Sequence, residues 1–467
     1  MIPVPGFEGR RVAVFGLGRS GITAARALHA GGAVPILWDD GVSGRMQAEA
    51  EGFTVEDLSR ADWSDFAALV LSPGAPLTHP KPHWTVDKAK AAGVEIIGDI
   101  ELFARALART PDRVRPKVIA ITGTNGKSTT TALIGWVLKQ AGLKVAVGGN
   151  IGIGVLALPA PAEVSFYVLE VSSYQLDLTT SFAPDVAILT NISPDHLDRH
   201  GGMAGYVAAK RRIFQDRHTA PYLGVDESET EAVWRDLVAD GRAVDPVSVV
   251  RSMTNDLGMY LLDGWLTYNA GGQPVKIVDL SKARSLAGRH NAQNAALAFL
   301  AITDLGIPEE VVVPALLSFP GLAHRMEEVG RLGSVRFIND SKATNADAAR
   351  QALSSYDRSF WIAGGRAKAG GIDDLEDLFP RVMEAFLIGE AAGPFAARLG
   401  DTPHRISGDM ATAVKAAYEA ATATGREEVV LLSPAAASFD QFPDFEVRGE
   451  AFRAAVLNLG ATPSGHG

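Results

Sequence analysis

The stretch Val118-Ile-Ala-Ile-Thr-Gly-Thr-Asn-Gly-Lys-Ser-Thr129 decides how the rest of the chain is read. An apolar run enters a glycine-rich turn. A lysine and hydroxyl residues follow, then a helical pattern that stops at Gly142. A strand feeding a helix through such a turn builds a phosphate cradle. Glycines let backbone N–H groups approach phosphate oxygens, and the helix N-terminus adds its positive dipole end. Lys127 supplies a point charge and Ser128 a hydroxyl suited to magnesium. The common form of this loop carries a glycine five residues before Gly126, where this chain has Ile121. The loop is therefore a short variant, Gly123-Thr124-Asn125-Gly126-Lys127, and it predicts ATP as a ligand. The plain alternative is a strand-to-helix turn with an ordinary surface lysine.

Working outward, 467 residues suggest about three domains at the usual ~150 residues each. Hydrophobic residues make up 47% and charged residues 21%, an ordinary globular composition. The net charge of −10 argues against non-specific nucleic-acid binding. It leaves anionic substrates open, because phosphate sites are made by local N–H groups and a few cations. Cysteine is absent, so disulfides and thiolate metal sites are excluded. Residues 1–9 lack a basic region followed by an apolar core, and no apolar span approaches ~20 residues. The expectation is a cytoplasmic monomer without membrane insertion.

Three blocks of alternating strand and helix signals imply parallel sheets with right-handed crossovers. The first begins with Arg11-Val-Ala-Val-Phe15 and enters Gly16-Leu-Gly-Arg-Ser-Gly21, with further apolar runs at 34–38, 69–71 and 94–97. The polar, proline-containing segment 109–116 reads as a linker. The second block places parallel strands at 118–122, 144–147, 165–170 and 186–191. Two β-rich runs flanking Asp263-Gly264 then predict a hairpin, hence a small antiparallel sheet. After Pro320-Gly321 the third block places strands at 335–339, 360–363, 385–388 and 429–433, and helices at 345–354, 410–422 and 448–457. The expected architecture is α/β: a Rossmann-like domain over 1–113, a central P-loop ATPase-like domain over 114–321, and a second Rossmann-like domain over 322–467.

Several motifs carry chemistry. Gly16-x-Gly18-x-x-Gly21 follows a strand and opens a helix, and Asp39 ends the second strand. That is the fingerprint of a nucleotide site whose carboxylate accepts from a ribose hydroxyl. A tight turn for close packing is the alternative. Glu170, at the end of a strand beside the phosphate loop, is placed to hold magnesium, which prefers oxygen ligands. His196 lies just past a strand between Asp195 and Asp198, where a structural or capping role competes with cation handling. Lys210 follows Tyr206 by four residues on one helix face and reads as a solvated surface residue. Asn291 and Asn294 open an alanine-rich helix; their amides can read a heterocycle, and capping by Asn291 competes equally. His324-Arg325, Asn339-Asp-Ser-Lys-Ala-Thr344 and Gly364-Gly-Arg-Ala-Lys368 lie at edges in the third block. Ser433-Pro-Ala-Ala-Ala-Ser-Phe-Asp-Gln-Phe442 follows the last strand.

Taken in order along nearly the whole chain, these motifs resemble the Mur ligases, ATP-dependent amide-forming enzymes of peptidoglycan precursor synthesis. Ser72-Pro73-Gly74, Gly98-Asp-Ile-Glu-Leu-Phe103, Gly149-Asn-Ile-Gly152 and Glu170-Val-Ser-Ser-Tyr-Gln175 belong to the same set. The 98–103 and 433–442 segments favour the D-glutamate-adding member. The resemblance implies that Gly18, Arg19, Ser20, Asp39, Ser72, Pro73 and Gly74 hold the UDP of a UDP-N-acetylmuramoyl-L-alanine substrate. It implies that Gly123, Thr124, Asn125, Gly126, Lys127, Ser128 and Thr129 bind ATP phosphates, with Asn291 and Asn294 at its base. Ser128 and Glu170 would serve one magnesium ion; His196 and a carbamylated Lys210 would serve a second. Arg325, Asp340 and Lys342 would close over ATP. Thr344, Lys368, Ser438, Phe439 and Phe445 would position D-glutamate, and Asn150 and Ser172 would lie along the muramoyl arm. Asp40 and Gly41 after Asp39, and Arg366 in the glycine turn, depart from the family pattern around the uracil and D-glutamate pockets.

Other readings remain at this stage. A Mur ligase adding another amino acid, or a folylpolyglutamate synthetase, would share the chemistry, although the latter has no need of the Gly16–Gly21 turn. A nicotinamide-dependent oxidoreductase would leave the Lys127 loop unexplained. A non-catalytic nucleotide switch would show no amino-acid-dependent phosphate release.

Overall fold

The computed structural model describes residues 1–252, 257–286, 288–367 and 370–464, with the backbone only of Arg284 and Asp347. It contains three sheets, and the chain forms two compact units, Met1–Phe319 and Pro320–Gly467. No helix among the described residues is long and apolar enough to cross a membrane.

The first sheet is fully parallel. Its order is Thr54–Val55, Val34–Trp38, Arg11–Phe15, Phe66–Leu71, Glu95–Ile97. The order reverses direction at Arg11–Phe15, and such a switch point leaves a crevice beyond the strand ends. The glycine turn and Asp39 sit there.

The second sheet has nine strands. Its parallel part is built around Lys117–Thr122, which lies between Phe166–Glu170 and Val186–Leu189. Ile119 and Ile121 are fully buried in a core shared with Leu133 and Val137 of the helix Lys127–Gln140. Burial of each such side chain contributes roughly 1.5–3 kcal/mol, so the strand direction, and with it the aim of the loop at its end, is firmly set. The predicted hairpin forms: Gly258–Leu262 pairs antiparallel with Trp265–Asn269 through Asp263 and Gly264, both at positive φ. It does not make a sheet of its own. Gly258–Leu262 also pairs with Pro246–Ser248, so the antiparallel strands extend the central sheet. A single apolar cluster contains Val12 and Val14 of the first sheet and Val118 and Ala120 of the second, so the two sheets share a core.

The unit Pro320–Gly467 holds the third sheet. Its parallel core runs His404–Gly408, Val382–Ile388, Ser359–Gly364, Glu428–Leu432, Val335–Asn339, and antiparallel Glu327–Leu332 and Thr462–Pro463 close one edge. Helices such as Met410–Ala423 and Phe445–Asn458 cover the faces.

Candidate active site

The loop after Lys117–Thr122 is laced to the neighbouring strand end. Thr190 Oγ1 donates to the Asn125 carbonyl at 2.6 Å, the Asn125 N–H donates to Asn191 Oδ1 at 2.8 Å, and the Thr124 N–H donates to the Asn191 carbonyl at 2.8 Å. Two glycines are required by contact as well as by backbone. Gly123 has φ 147°, and a Cβ there would stand 1.9 Å from Thr190 Oγ1. Gly126 has φ 81°, and its Cβ would stand 2.3 Å from Asn294 Oδ1. Gly126 is the N-cap of Lys127–Gln140 and brings no side-chain hydrogen bond. The helix end thus faces the loop as an anion site.

Two lysines converge on this loop. Lys127 Nζ donates to the carbonyls of Gly123 at 2.9 Å and Thr124 at 2.7 Å. Lys210 Nζ donates to the same Gly123 carbonyl at 2.6 Å and lies 4.6 Å from the Tyr206 ring centroid. Lys210 is only 2% exposed, so the solvated surface position expected from sequence is corrected. The helix Met203–Arg211 turns Tyr206, Ala209 and Lys210 inward. Burial, reinforced by Lys127, holds the Lys210 amine well below the usual lysine range, against the pull of Asp195 and Glu170. Tyr206 reaches Thr124 Oγ1 at 3.1 Å, and burial pushes its phenol up to about 12.

Glu170 ends Phe166–Glu170 and is 3% exposed. Its Oε1 accepts from Asn150 Nδ2 at 2.7 Å, while Oε2 is buried with no hydrogen-bond partner. A buried carboxylate oxygen without a partner is costly, and a cation would relieve that cost. Among the described residues no group of three or more His, Asp or Glu side chains is arranged to hold a metal ion. One carboxylate oxygen beside a phosphate loop suits magnesium, which keeps several waters and takes phosphate oxygens. The hydroxyl-bearing Ser128 is 5% exposed at the helix start. His196 adopts φ 52°, at the N-cap of Leu197–His200, and its side chain makes no capping bond. Its Nε2 lies 3.4 Å from Asp195, and its ring centroid 4.9 Å from that of Tyr174. Burial lowers the His196 pKa; Asp195 opposes this, and Lys127 and Lys210 add to it. His196 thus lies within electrostatic reach of the two lysines.

Asn294 packs on the loop at Gly126, and its Nδ2 donates to Asn291 Oδ1 at 3.3 Å. The helix Arg289–Thr303 has Gly288 as its N-cap, so capping by Asn291 is overturned: Asn291 is already inside the helix. In the first sheet's crevice, Asp39 ties the glycine turn to the turn that follows it. It accepts from the N–H groups of Leu17 at 2.6 Å and Gly41 at 2.7 Å. Gly18 caps the helix Arg19–Ala30 without a side chain, Arg19 donates to the Gly152 carbonyl at 2.6 Å, and Ser20 hydrogen-bonds the buried Asp99. The Ser72 N–H donates to the Phe15 carbonyl, and the Pro73 carbonyl, next to Gly74, accepts from Arg199. Ser172 caps Ser173–Asp177 reciprocally with Gln175.

In the unit Pro320–Gly467 the predicted residues cluster around other strand ends. Arg325 sits between His324 at φ 61° and Met326 at φ 47°. Asp340 accepts from the Met326 N–H at 3.3 Å and from Ser433 Oγ at 2.8 Å, and burial pushes its carboxyl up to about 7. Lys342 Nζ stands 3.8 Å from the Phe445 ring centroid, and the Thr344 N–H donates to the Lys342 carbonyl. Ser438 is buried, and the neighbouring Phe439 is 65% exposed. Lys368 lies outside the described residues. Arg366 pairs with exposed Glu390 at 3.0 Å.

Sequence reasoning missed Arg448, which is 1% exposed and donates to Ser341 Oγ and to the carbonyls of Ser341 and Ala436. Burial pushes its guanidinium down to about 10. It also missed Asp99, whose carboxylate accepts from Gln175 Nε2, and His200. Helical spacing alone gives no sign of any of the three.

A parallel α/β sheet whose strand end opens into a glycine loop, a helix N-terminus and paired lysines defines a nucleotide-phosphate-binding protein. The Mur ligase middle domain matches residues 121–302. The chain is 62% identical over 98% of its length, and 98% of the relative's, to UDP-N-acetylmuramoylalanine–D-glutamate ligase from Caulobacter sp. (strain K31). It is 51% identical, over 98% of its length and 97% of the relative's, to the ligase of the same name from Agrobacterium fabrum. The fold is shared with UDP-N-acetylmuramate-alanine ligase from Thermotoga maritima, with a TM-score of 0.59 and 16% identity over 96% of this chain and 99% of that one. This chain belongs to the Mur ligase family.

Proposed function

We propose that this protein joins D-glutamate to UDP-N-acetylmuramoyl-L-alanine, converting ATP to ADP and phosphate. Near-full-length likeness to relatives named for that reaction supports the substrates. The observation that carries the chemistry is the meeting of Lys127, Lys210 and the glycine loop at one carbonyl, with the buried Glu170 carboxylate at the end of the adjacent strand. The three-domain division 1–113, 114–321 and 322–467, a monomeric state and a cytoplasmic location are part of the same reading.

In this mechanism the alanyl carboxylate attacks the γ-phosphorus of ATP and ADP leaves, giving an acyl phosphate. The amine of D-glutamate then attacks the acyl carbon, loses a proton, and phosphate departs. Glycine-loop N–H groups and Lys127 hold the phosphates in line and neutralise their charge. Magnesium, held by Ser128 and Glu170, would add charge neutralisation at the phosphate oxygens, and a second ion would draw on His196 and Lys210. Lys210 fits such a role once carbamylated: its depressed pKa favours the neutral amine, which adds to carbon dioxide with loss of a proton and becomes an oxygen-bearing anion. Asn291 and Asn294 contact the base, and Arg325, Asp340 and Lys342 the transferred phosphoryl. Gly18, Arg19, Ser20, Asp39 and Ser72–Gly74 hold the UDP. Asn150 and Ser172 line the muramoyl arm, and Thr344, Lys368, Ser438, Phe439 and Phe445 hold D-glutamate.

The test is phosphate release from ATP with UDP-N-acetylmuramoyl-L-alanine and each candidate amino acid. Release that depends on D-glutamate is expected; preference for another amino acid would overturn the assignment. A carbamate carbon signal in ¹³C-labelled bicarbonate, lost in Lys210→Ala, would test the modification.

A further inference from the structure

The single-turn helix Ser173–Asp177 begins three residues after Glu170. Five residues are too few to hold a helix by themselves, yet this turn carries Tyr174, whose ring lies beside His196. Something outside the turn must hold it.

His200 does so at both ends. Its Nδ1 lies 3.1 Å from Asp177 Oδ2, and its Nε2 lies 3.0 Å from Ser173 Oγ. Nδ1 is thus placed to donate to the Asp177 carboxylate, and Nε2 pairs with the Ser173 hydroxyl. The ring also fills the space between two tyrosines. It stacks on Tyr174 with centroids 5.3 Å apart and planes 13° apart, and it packs at 5.4 Å on Tyr206. His200 is 7% exposed and Ser173 3%. The chain from His200 therefore runs one way to Tyr206 and the phosphate loop at Thr124. The other way it runs to Tyr174, on whose face Arg199 lies at 4.6 Å while donating to the Pro73 carbonyl. Ser173, His200 and Asp177 have the order of a hydrolytic triad, but burial of the serine leaves no room for a substrate there.

We propose that His200 is a positioning residue for the ligase reaction, clamping the Ser173–Asp177 turn so that Ser172 and Tyr174 present a fixed wall to the UDP-sugar substrate. This rests on the assignment above. Because the clamp bears on the Pro73 side through Tyr174 and Arg199, its loss weakens the UDP-sugar substrate more than ATP.

The experiment is steady-state kinetics of the full-length protein with His200→Phe, which keeps the ring but not its nitrogens, with Ser173→Ala, and with the double variant. D-glutamate-dependent turnover by the unsubstituted protein tests the assignment first, independently of the variants. For His200→Phe the expected result is a rise of about tenfold in KM for UDP-N-acetylmuramoyl-L-alanine (~1.4 kcal/mol) with a clearly smaller rise in KM for ATP. Ser173→Ala should give the same split with a smaller rise, and the double variant should be no worse than His200→Phe. A parallel rise in both KM values, additive effects, or unchanged kinetics would overturn the proposal. If His200→Phe does not fold, the split in Ser173→Ala alone decides.

Discussion

The ends of the central strands and the ends of the third-sheet strands solve different problems with the same α/β scaffold. Around Gly123 the loop is interlocked with its neighbours: Thr190 and Asn191 fix it, two lysines share a carbonyl, and Asn294 packs at Gly126. Around Asp340 the chain instead holds residues at positive φ, namely His324, Met326 and Ala435, a carboxyl pushed up to about 7, and a guanidinium satisfied by carbonyls. The first region is laced together around a loop shaped for phosphate. The second concentrates three positive-φ residues around a buried acid. Buried charge and strained backbone, which His196 at φ 52° and Lys210 bring to the first region too, are a common feature of functional sites.

The strongest way to break this comparison is at the lysine and the carboxylate. Lys127→Ala and Glu170→Gln are each expected to lower kcat by at least about 100-fold, measured as D-glutamate-dependent phosphate release. Glu170→Gln should not lower the melting temperature, because Oε2 is buried without a partner and the amide keeps an acceptor for Asn150. A fall in stability matching the fall in rate would mean that Glu170 is structural.

Next is Gly126→Ala. Positive φ costs on the order of 1–3 kcal/mol for a residue with a side chain, and Asn294 must move. KM for ATP should rise while KM for the UDP-sugar holds, and equal changes in both would deny that this loop is the ATP site.

Asp340 sharpens the other side. Its folded pKa is raised from 3.8 to about 7, so the folded state keeps a proton that the unfolded state has lost across that window. Stability therefore falls as pH rises from about 4 to about 7, by at most about 4 kcal/mol. Asp340→Asn, which mimics the protonated acid, should flatten the pH dependence of chemical denaturation in that window. An unchanged slope would refute the buried-acid reading. The smallest effect is expected at Arg366: its pair with Glu390 is solvent-exposed, so Arg366→Ala should leave the melting temperature unmoved. A measurable loss would show that the turn it departs from is under tighter constraint.

Much of this was open to sequence because it is local. Strand, turn and helix around Lys127 follow from an apolar run, two glycines and a periodic helix, all within about 25 residues, and Glu170 falls at a strand end for the same reason. The hairpin at Asp263-Gly264 was equally local, yet its attachment to the central sheet depends on Pro246–Ser248, which no short pattern predicts. Asn291 was misjudged as a possible cap because the true N-cap, Gly288, carries no side-chain signal.

The order of elements, the phosphate loop and the carboxylate beside it were determined by sequence alone, since periodicity and turn chemistry act between near neighbours. The tertiary structure decided that Lys210 is buried against Gly123, that Asp39 accepts from Leu17 in the glycine turn, and that His200 bridges two elements. Those outcomes depend on desolvation and contact between segments far apart in the chain, and a residue's own neighbours do not encode them.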